Sequence, residues 1–178
     1  MRDATFRLAA AGDAPTVSAL ALQVFLDTYA REGVSRSVAG EAHELLSPGA
    51  VAASLARASS TFVLAERDGR LLGFAQLAFP SRHLLVPHEN AAELVRLYVQ
   101  ERSTGQGLGR ALLEHAEAEA IVRGASTLWL SVWARNPRAL AFYERCGCAY
   151  AGPSTYAWRD DVYETRVYAK LLGGPATR

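Results

Sequence analysis

The sequence predicts a mixed α/β fold: a mostly antiparallel sheet of about seven strands with helices on both faces. Three observations predict it. Strand-like and helix-like stretches follow one another in the order β, α, α, β, β, β, α, β, α, β, β. Hairpin strands stand before and after a central β-loop-α-β unit, which argues against a purely parallel sheet. The loop of that central unit holds three alternating glycines directly before a helix, "TGQGLGRALLEHAEAEA".

Each element has a local reason. "TFRLA" near the start reads as a short strand. "GDAPTVSALALQVFLDTYAREG" reads as a helix, with Asp13 as N-cap, Pro15 in the first turn and Gly33 as the stop. A second helical stretch lies within residues 38–59 and is interrupted near Ser47-Pro48-Gly49. "TFVLAERDGRLLGFAQLAF" is a hairpin, because two β-prone runs flank Asp68-Gly69. Pro80 to Asn90, with Pro87, His83 and His88, is a loop. "ELVRLYV" is a strand, and after the glycines a helix runs from about Leu108 to Arg123, where Gly124 ends it. "STLWLSVW" is a strand. "NPRALAFYERCG" is a short helix with Asn136 as N-cap, Pro137 at the first helical position and Gly147 as the stop. "YAGPSTYAW" and "YETRVYAKLL" are antiparallel strands around Arg159-Asp160-Asp161. The tail "GGPATR" is expected to fray. With no repeat or linker, the 178 residues read as a single domain, 1–178.

Glycine before a helix means that the backbone must turn with φ > 0 or approach something closely. The helix behind it offers unpaired N–H groups and the positive end of a dipole, a ready anion site. Phosphate is the usual occupant. A nucleotide P-loop is excluded, because the segment has no Lys. A dinucleotide fingerprint fails as well: counted from Gly105, its last glycine falls on Arg110. A glycine-rich connection without a ligand remains open at this point.

The run Glu93 to about Gly152, "ELVRLYVQERSTGQGLGRALLEHA" followed by "LWLSVWARNPRALAFYERCGCAYAG", resembles the GCN5-related N-acetyltransferase (GNAT) family. Gly107 and Gly109 fill the glycines of that family's (Q/R)xxGxG pattern. Thr104 stands where Arg or Gln is usual, and Cys148 where Phe is usual. "VFLDTYA" and the C-terminal "YAW..DD.YET..YAKLL" are similar to the bacterial Pai-type spermidine/spermine acetyltransferases.

The resemblance implies an acetyl-CoA-dependent transferase with a small primary amine as acceptor, a polyamine favoured. Another small amine, a protein N-terminus, or a non-catalytic acetyl-CoA-binding regulator are the alternatives. It implies that Thr104, Gly105, Gln106, Gly107, Leu108, Gly109 and Arg110 surround the pyrophosphate. Leu97, Tyr98 and Val99 would pair with the pantetheine arm, and Asn136 would reach it. Arg110 also reads as an i,i+4 partner of Glu114. Tyr143 matches the tyrosine that protonates the CoA sulfur; Glu93 stands where several members carry a general base. Either also admits a plain role, Tyr143 in the core and Glu93 as a partner of Arg96. Asp27, Tyr29 and Trp133 are candidate acceptor-binding residues, with Tyr156 and Trp158 as further aromatic walls. Glu32, Asp160 and Asp161 are candidate partners for distant ammonium groups. His115, on the apolar side of the glycine-led helix, is expected to be a core histidine.

Composition narrows the classes further. Nineteen Lys and Arg against 18 Asp and Glu give a net charge of +1, which speaks against nucleic acid as a partner. No apolar run approaches the roughly 20 residues of a membrane span, and the opening residues do not read as a signal peptide. Cys146 and Cys148 are too close for an easy disulfide and lack a companion cluster for metal. A cytoplasmic enzyme without a metal, monomer or homodimer, is the expectation.

Overall fold

The computed structural model describes residues 4–173, so all of the tail expected to fray except Gly173 lies outside the described residues. The elements are β1 (Thr5–Leu8), α1 (Ala14–Tyr29), α2 (Arg36–Leu46), α3 (Pro48–Leu55), β2 (Ser60–Arg67), β3 (Arg70–Ala78), β4 (Ala91–Val99), α4 (Leu108–Val122), β5 (Thr127–Trp133), α5 (Pro137–Arg145), β6 (Ala149–Trp158) and β7 (Asp161–Leu171). The described strands form a seven-stranded sheet in the order β1-β2-β3-β4-β5-β7-β6. β4 and β5 pair in parallel, while β1–β2, β5–β7 and β6–β7 are antiparallel. This is the mixed, mostly antiparallel sheet the sequence predicts. Asp68 and Gly69 both take positive φ, 51° and 71°, as a two-residue hairpin turn of matching twist requires.

By its contacts the chain divides into two units, Met1–Gln76 with Arg96–Ala116, and Leu77–Val95 with Glu117–Arg178. In the first, the apolar faces of α1, α2 and α3 pack on β2 and β3 around Val17, Leu46, Leu64 and Phe74. Phe74 is 1% exposed, and its ring lies 5.9 Å from that of Phe62 and 5.5 Å from that of Tyr98. Burial of such a side chain contributes about 1.5–3 kcal/mol. Ser47 ends α2 and caps α3, its Oγ accepting from the Ala50 N–H at 3.3 Å. That is why the predicted helical stretch breaks there.

Asp13 precedes α1 but does not cap it with its side chain. Its carboxylate instead takes the Arg7 guanidinium at 2.7 and 2.8 Å and the Ala10 N–H at 2.7 Å. Arg7 also grips Glu66 across the β1–β2 pair, at 2.7 Å. An ionised partner outcompetes the neutral helix amides. Hydrogen bonding to Arg7 holds the Asp13 carboxyl down to about 2 from its ordinary 3.8, despite its desolvation. A carboxyl lowered in the folded state stabilises fully above its unfolded pKa, and that contribution is lost as pH falls through the folded value. Wild-type stability is therefore expected to fall more steeply than that of Asp13→Asn between about pH 4 and about pH 2. Urea denaturation across that range checks it; parallel curves would refute the assignment.

In the second unit, the loop between β3 and β4 lies over one sheet face. Val86, Ala91, Trp129 and Val167 form its buried cluster. The Trp129 indole N–H donates to the Ser81 carbonyl at 3.1 Å, and the His83 ring lies 4.8 Å from that of Trp129. Leu85 sits over Gly152, where an added Cβ would come within 3.0 Å of it. On the other face, the buried Tyr168 donates its hydroxyl to Glu144 at 2.9 Å, which ties α5 to β7. Burial raises that phenol's pKa. The β6–β7 turn is tighter than expected, with Asp161 already the first residue of β7.

Candidate active site

The glycine segment belongs to the first unit. After β4, a short 3-10 turn at Glu101–Ser103 reverses the chain. Thr104 Oγ1 donates back to the Glu101 carbonyl at 2.7 Å, and Gln106 Nε2 to the Arg102 carbonyl at 3.1 Å. Thr104, the departure from the family pattern, thus orders the turn through its hydroxyl. Gly105 and Gly107 hold φ of 74° and 83°, conformations that side-chain-bearing residues rarely adopt. Gly109 has a different role, as the second residue of α4. Leu108 is buried and anchors the helix start, while Gln106, Gly107 and Arg110 are exposed. The helical ladder opens with the Ala111 N–H donating to the Gly107 carbonyl at 3.1 Å. The N–H groups of the first turn precede that ladder, so the turn presents donors and a positive dipole end to solvent.

Leu97, Tyr98 and Val99 form the end of β4 leading into this turn. Here a glycine inside β3 matters that sequence reasoning passed over. A Cβ on Gly73 would lie 2.7 Å from the Tyr98 carbonyl oxygen and 3.2 Å from a Val99 methyl. The signal was available, since glycine in a strand interior often marks a close backbone approach. A polar chain was also missed: Arg96 Nη1 donates to Gln76 Oε1 at 2.6 Å, and Gln76 Nε2 to Ser54 Oγ at 3.0 Å. Tyr98 is packed among apolar residues, and that burial raises its phenol.

Asp27 and Tyr29 stand at the end of α1 in the same unit. Asp27 is exposed; Tyr29 is 39% exposed, its ring 4.8 Å from that of Phe25. His115 corrects an expectation. It is exposed rather than a core residue, and its ring stacks on Phe6 at 4.1 Å. A helix face that reads apolar can still meet the sheet at its margin, where a ring is covered on one side only.

The other candidates belong to the second unit. Glu93 is half-buried and shares its register row with Trp129. Its Oε2 accepts from Ser81 Oγ at 2.9 Å, whereas Arg96, the partner weighed from sequence, donates to Gln76. The β4–β5 ladder has its last register pair at Glu93↔Trp129. Trp133 ends β5, and its carbonyl accepts from the Asn136 N–H at 2.9 Å. Asn136 caps α5 as predicted, Oδ1 accepting from the Ala139 N–H at 3.1 Å.

Tyr143 lies on α5, 8% exposed, its ring edge-on to Phe142 at 5.1 Å. Its carbonyl receives the N–H groups of Cys146 and Cys148, which closes the helix before Gly147 at φ 83°. Neither cysteine forms a disulfide, and burial pushes the Cys148 thiol up to about 11, so it is no nucleophile at neutral pH. Among the described residues no group of three or more His, Cys, Asp or Glu could hold a metal ion, and no helix is long and apolar enough to cross a membrane.

Comparison with known proteins adds to this geometry. Residues 25–148 match the family model described as "Acetyltransferase (GNAT) family". An N-acetyltransferase from Lactobacillus delbrueckii subsp. lactis, named for its place in the pepI 3' region, is 26% identical over 160 residues, covering 90% of this chain and 92% of that protein. The ribosomal protein bS18 alanine N-acetyltransferase of Escherichia coli is 50% identical over 56 residues, 32% of this chain and 38% of that protein. Among solved structures, the PaiA N-acetyltransferase of Thermoplasma acidophilum, in complex with coenzyme A, superposes with a TM-score of 0.73 at 22% identity, covering 96% of this chain and 100% of that one.

Proposed function

The chain belongs to the GNAT family of acetyltransferases, and on that footing we propose that residues 1–178 act as one domain that moves acetyl from acetyl-CoA to a primary amine of a small molecule, a linear polyamine by preference. The observation that carries the donor half is the turn before α4, with Gly105 and Gly107 at φ 74° and 83°. In this reading the N–H groups from Gln106 to Arg110 grip the pyrophosphate. The end of β4, Leu97 to Val99, pairs with the amides of the pantetheine arm as an added strand would. An N–H there polarises the thioester carbonyl and holds the developing oxyanion. Asn136 adds a side-chain contact to the arm.

The chemistry then needs three proton transfers. Glu93, fixed by Ser81, takes a proton from the amine through water, leaving a nitrogen lone pair that attacks the thioester carbon. As the C–S bond breaks, the Tyr143 hydroxyl gives its proton to the departing thiolate. The nitrogen sheds its second proton as the amide forms, and that proton restores the Tyr143 hydroxyl; the products are the acetylated amine and free CoA thiol.

Polyamine preference rests on the Pai-type likeness of both ends of the sequence. The match to the bS18 alanine N-acetyltransferase favours a second reading, a protein N-terminus as acceptor. Thiol release with acetyl-CoA separates them. Spermidine is expected to turn over, whereas a peptide beginning with alanine is not. The reverse result assigns the acceptor to the protein class. No release with any amine points to a non-catalytic regulator.

A further inference from the structure

One face of the second unit is built in rows. Residues directly opposite one another in an antiparallel ladder point to the same side. Trp133 stands opposite Thr165, and Thr165 opposite Ser154. The next rows outward are Tyr163 with Tyr156, then Asp161 with Trp158. One row inward, Ser131 stands opposite Val167, and Glu93 shares the row of Trp129 beyond that. From inside to outside the face therefore carries a carboxylate beside the buried Trp129, an exposed serine beside Val167, which the β3–β4 loop covers, an indole with two hydroxyl residues, two phenols, and a second carboxylate with an indole.

Four features mark this face as a site for cations. Ser131 is the one exposed residue of β5, although its neighbours in sequence are buried. The Tyr156 and Tyr163 rings stack with centroids 6.4 Å apart at 26°, and aromatic faces attract ammonium groups. Thr165 is 7% exposed, and its hydroxyl has no hydrogen-bond partner among the described residues, so an acceptor for a ligand N–H is in place. The strand cations Arg166 and Lys170 alternate to the opposite face, and Lys170 is paired there with Glu117 at 2.6 Å. In the turn between β6 and β7, Arg159 sets its guanidinium 5.7 Å over the Trp158 ring. It closes the outer end, since it already covers the last aromatic face and repels a second positive charge.

We propose that this face is a track for a linear polyammonium ligand, with the amine to be acetylated beside Glu93 and Ser131 and the distal ammonium against the Tyr156–Tyr163 pair. The proposal rests on the amine-acetyltransferase reading and adds a length rule to it. From the Ser131 row to the Tyr163 row is four residues of β7, about 13 Å at the rise of a strand. An extended aliphatic chain advances roughly 1.25 Å per bond, so the span suits about ten bonds between terminal nitrogens. A triamine of spermidine's length fits. A short diamine falls short of the phenols, and a longer tetraamine meets Arg159.

The test is calorimetric titration of the full chain with spermidine, putrescine, spermine and butylamine, run beside thiol-release KM values. Spermidine is expected to bind about tenfold tighter than putrescine, the size of one aromatic cation contact. Tyr163→Leu should lose that advantage while leaving putrescine unchanged; Tyr163→Phe, which keeps the ring, should retain it. Arg159→Asn, a residue type that tolerates the turn's positive φ, should improve spermine selectively. Equal binding of spermidine and putrescine by the wild type, or an equal loss of both in Tyr163→Leu, overturns the track. Spermidine binding with this pattern but without acetylation upholds the track and refutes the catalytic reading. Acetylation of short amines without the pattern does the opposite.

Discussion

Replacing Tyr143 with Phe is expected to lower kcat by roughly 10²–10⁴-fold, the range for loss of a general acid. A free phenol, with a pKa of about 10, keeps its proton at neutral pH and can deliver it to a thiolate as the C–S bond breaks. The substitution removes one hydroxyl and keeps the ring, which is 8% exposed and packed edge-on against Phe142. Packing and fold should survive, and a thermal melt within a few degrees of wild type verifies that. The acetyl-CoA Kd should change little, because the pyrophosphate contacts assigned to Gln106–Arg110 are backbone groups. If product release limits the wild type, the steady-state loss shrinks. Single-turnover measurement then isolates the chemical step, and an unchanged single-turnover rate would return Tyr143 to a core role.

Gly107→Val carries the other large effect, on affinity rather than on chemistry. Gly107 sits at φ 83°, and a Cβ placed there would meet nothing within 4 Å. The substitution therefore fails by torsion, not by collision. A left-handed conformation costs an L residue roughly 1–2 kcal/mol, and a β-branched one more. The chain can relieve that strain by turning the peptide, which takes the N–H groups before α4 out of alignment. Acetyl-CoA affinity should fall by about tenfold or more, since each 1.4 kcal/mol is a factor of ten. The core around Phe74 is remote in sequence and should stay intact. Calorimetry with acetyl-CoA decides: an unchanged Kd would remove the pyrophosphate from this turn.

What the sequence revealed was local. Asp68-Gly69 set a hairpin, and Asn136-Pro137 with Gly147 bounded α5, because turn and cap chemistry is written within a few residues. The glycines before α4 were legible for the same reason. Long-range partners were not. Glu93 finds Ser81 across a loop, Arg96 finds Gln76 on another strand, and Asp13 gives up its helix cap to Arg7. Each choice depends on which side chains the folded sheet brings close, and residue spacing does not encode that. His115 went astray for a related reason. Helical periodicity gives the direction in which a side chain points, but not how far the opposing surface extends.

Gly73 and Gly107 obey opposite rules of handedness. At Gly107 the space is open and only the sign of φ is wrong for an L residue. A mirror-image alanine, for which positive φ is the relaxed state, should sit there without strain in a chemically synthesised chain. Gly73 is not at positive φ, yet an L Cβ there would be driven to 2.7 Å from the Tyr98 carbonyl. One glycine is thus required by chirality and the other by volume. Stereochemical inversion separates them where ordinary mutagenesis, which damages both, does not.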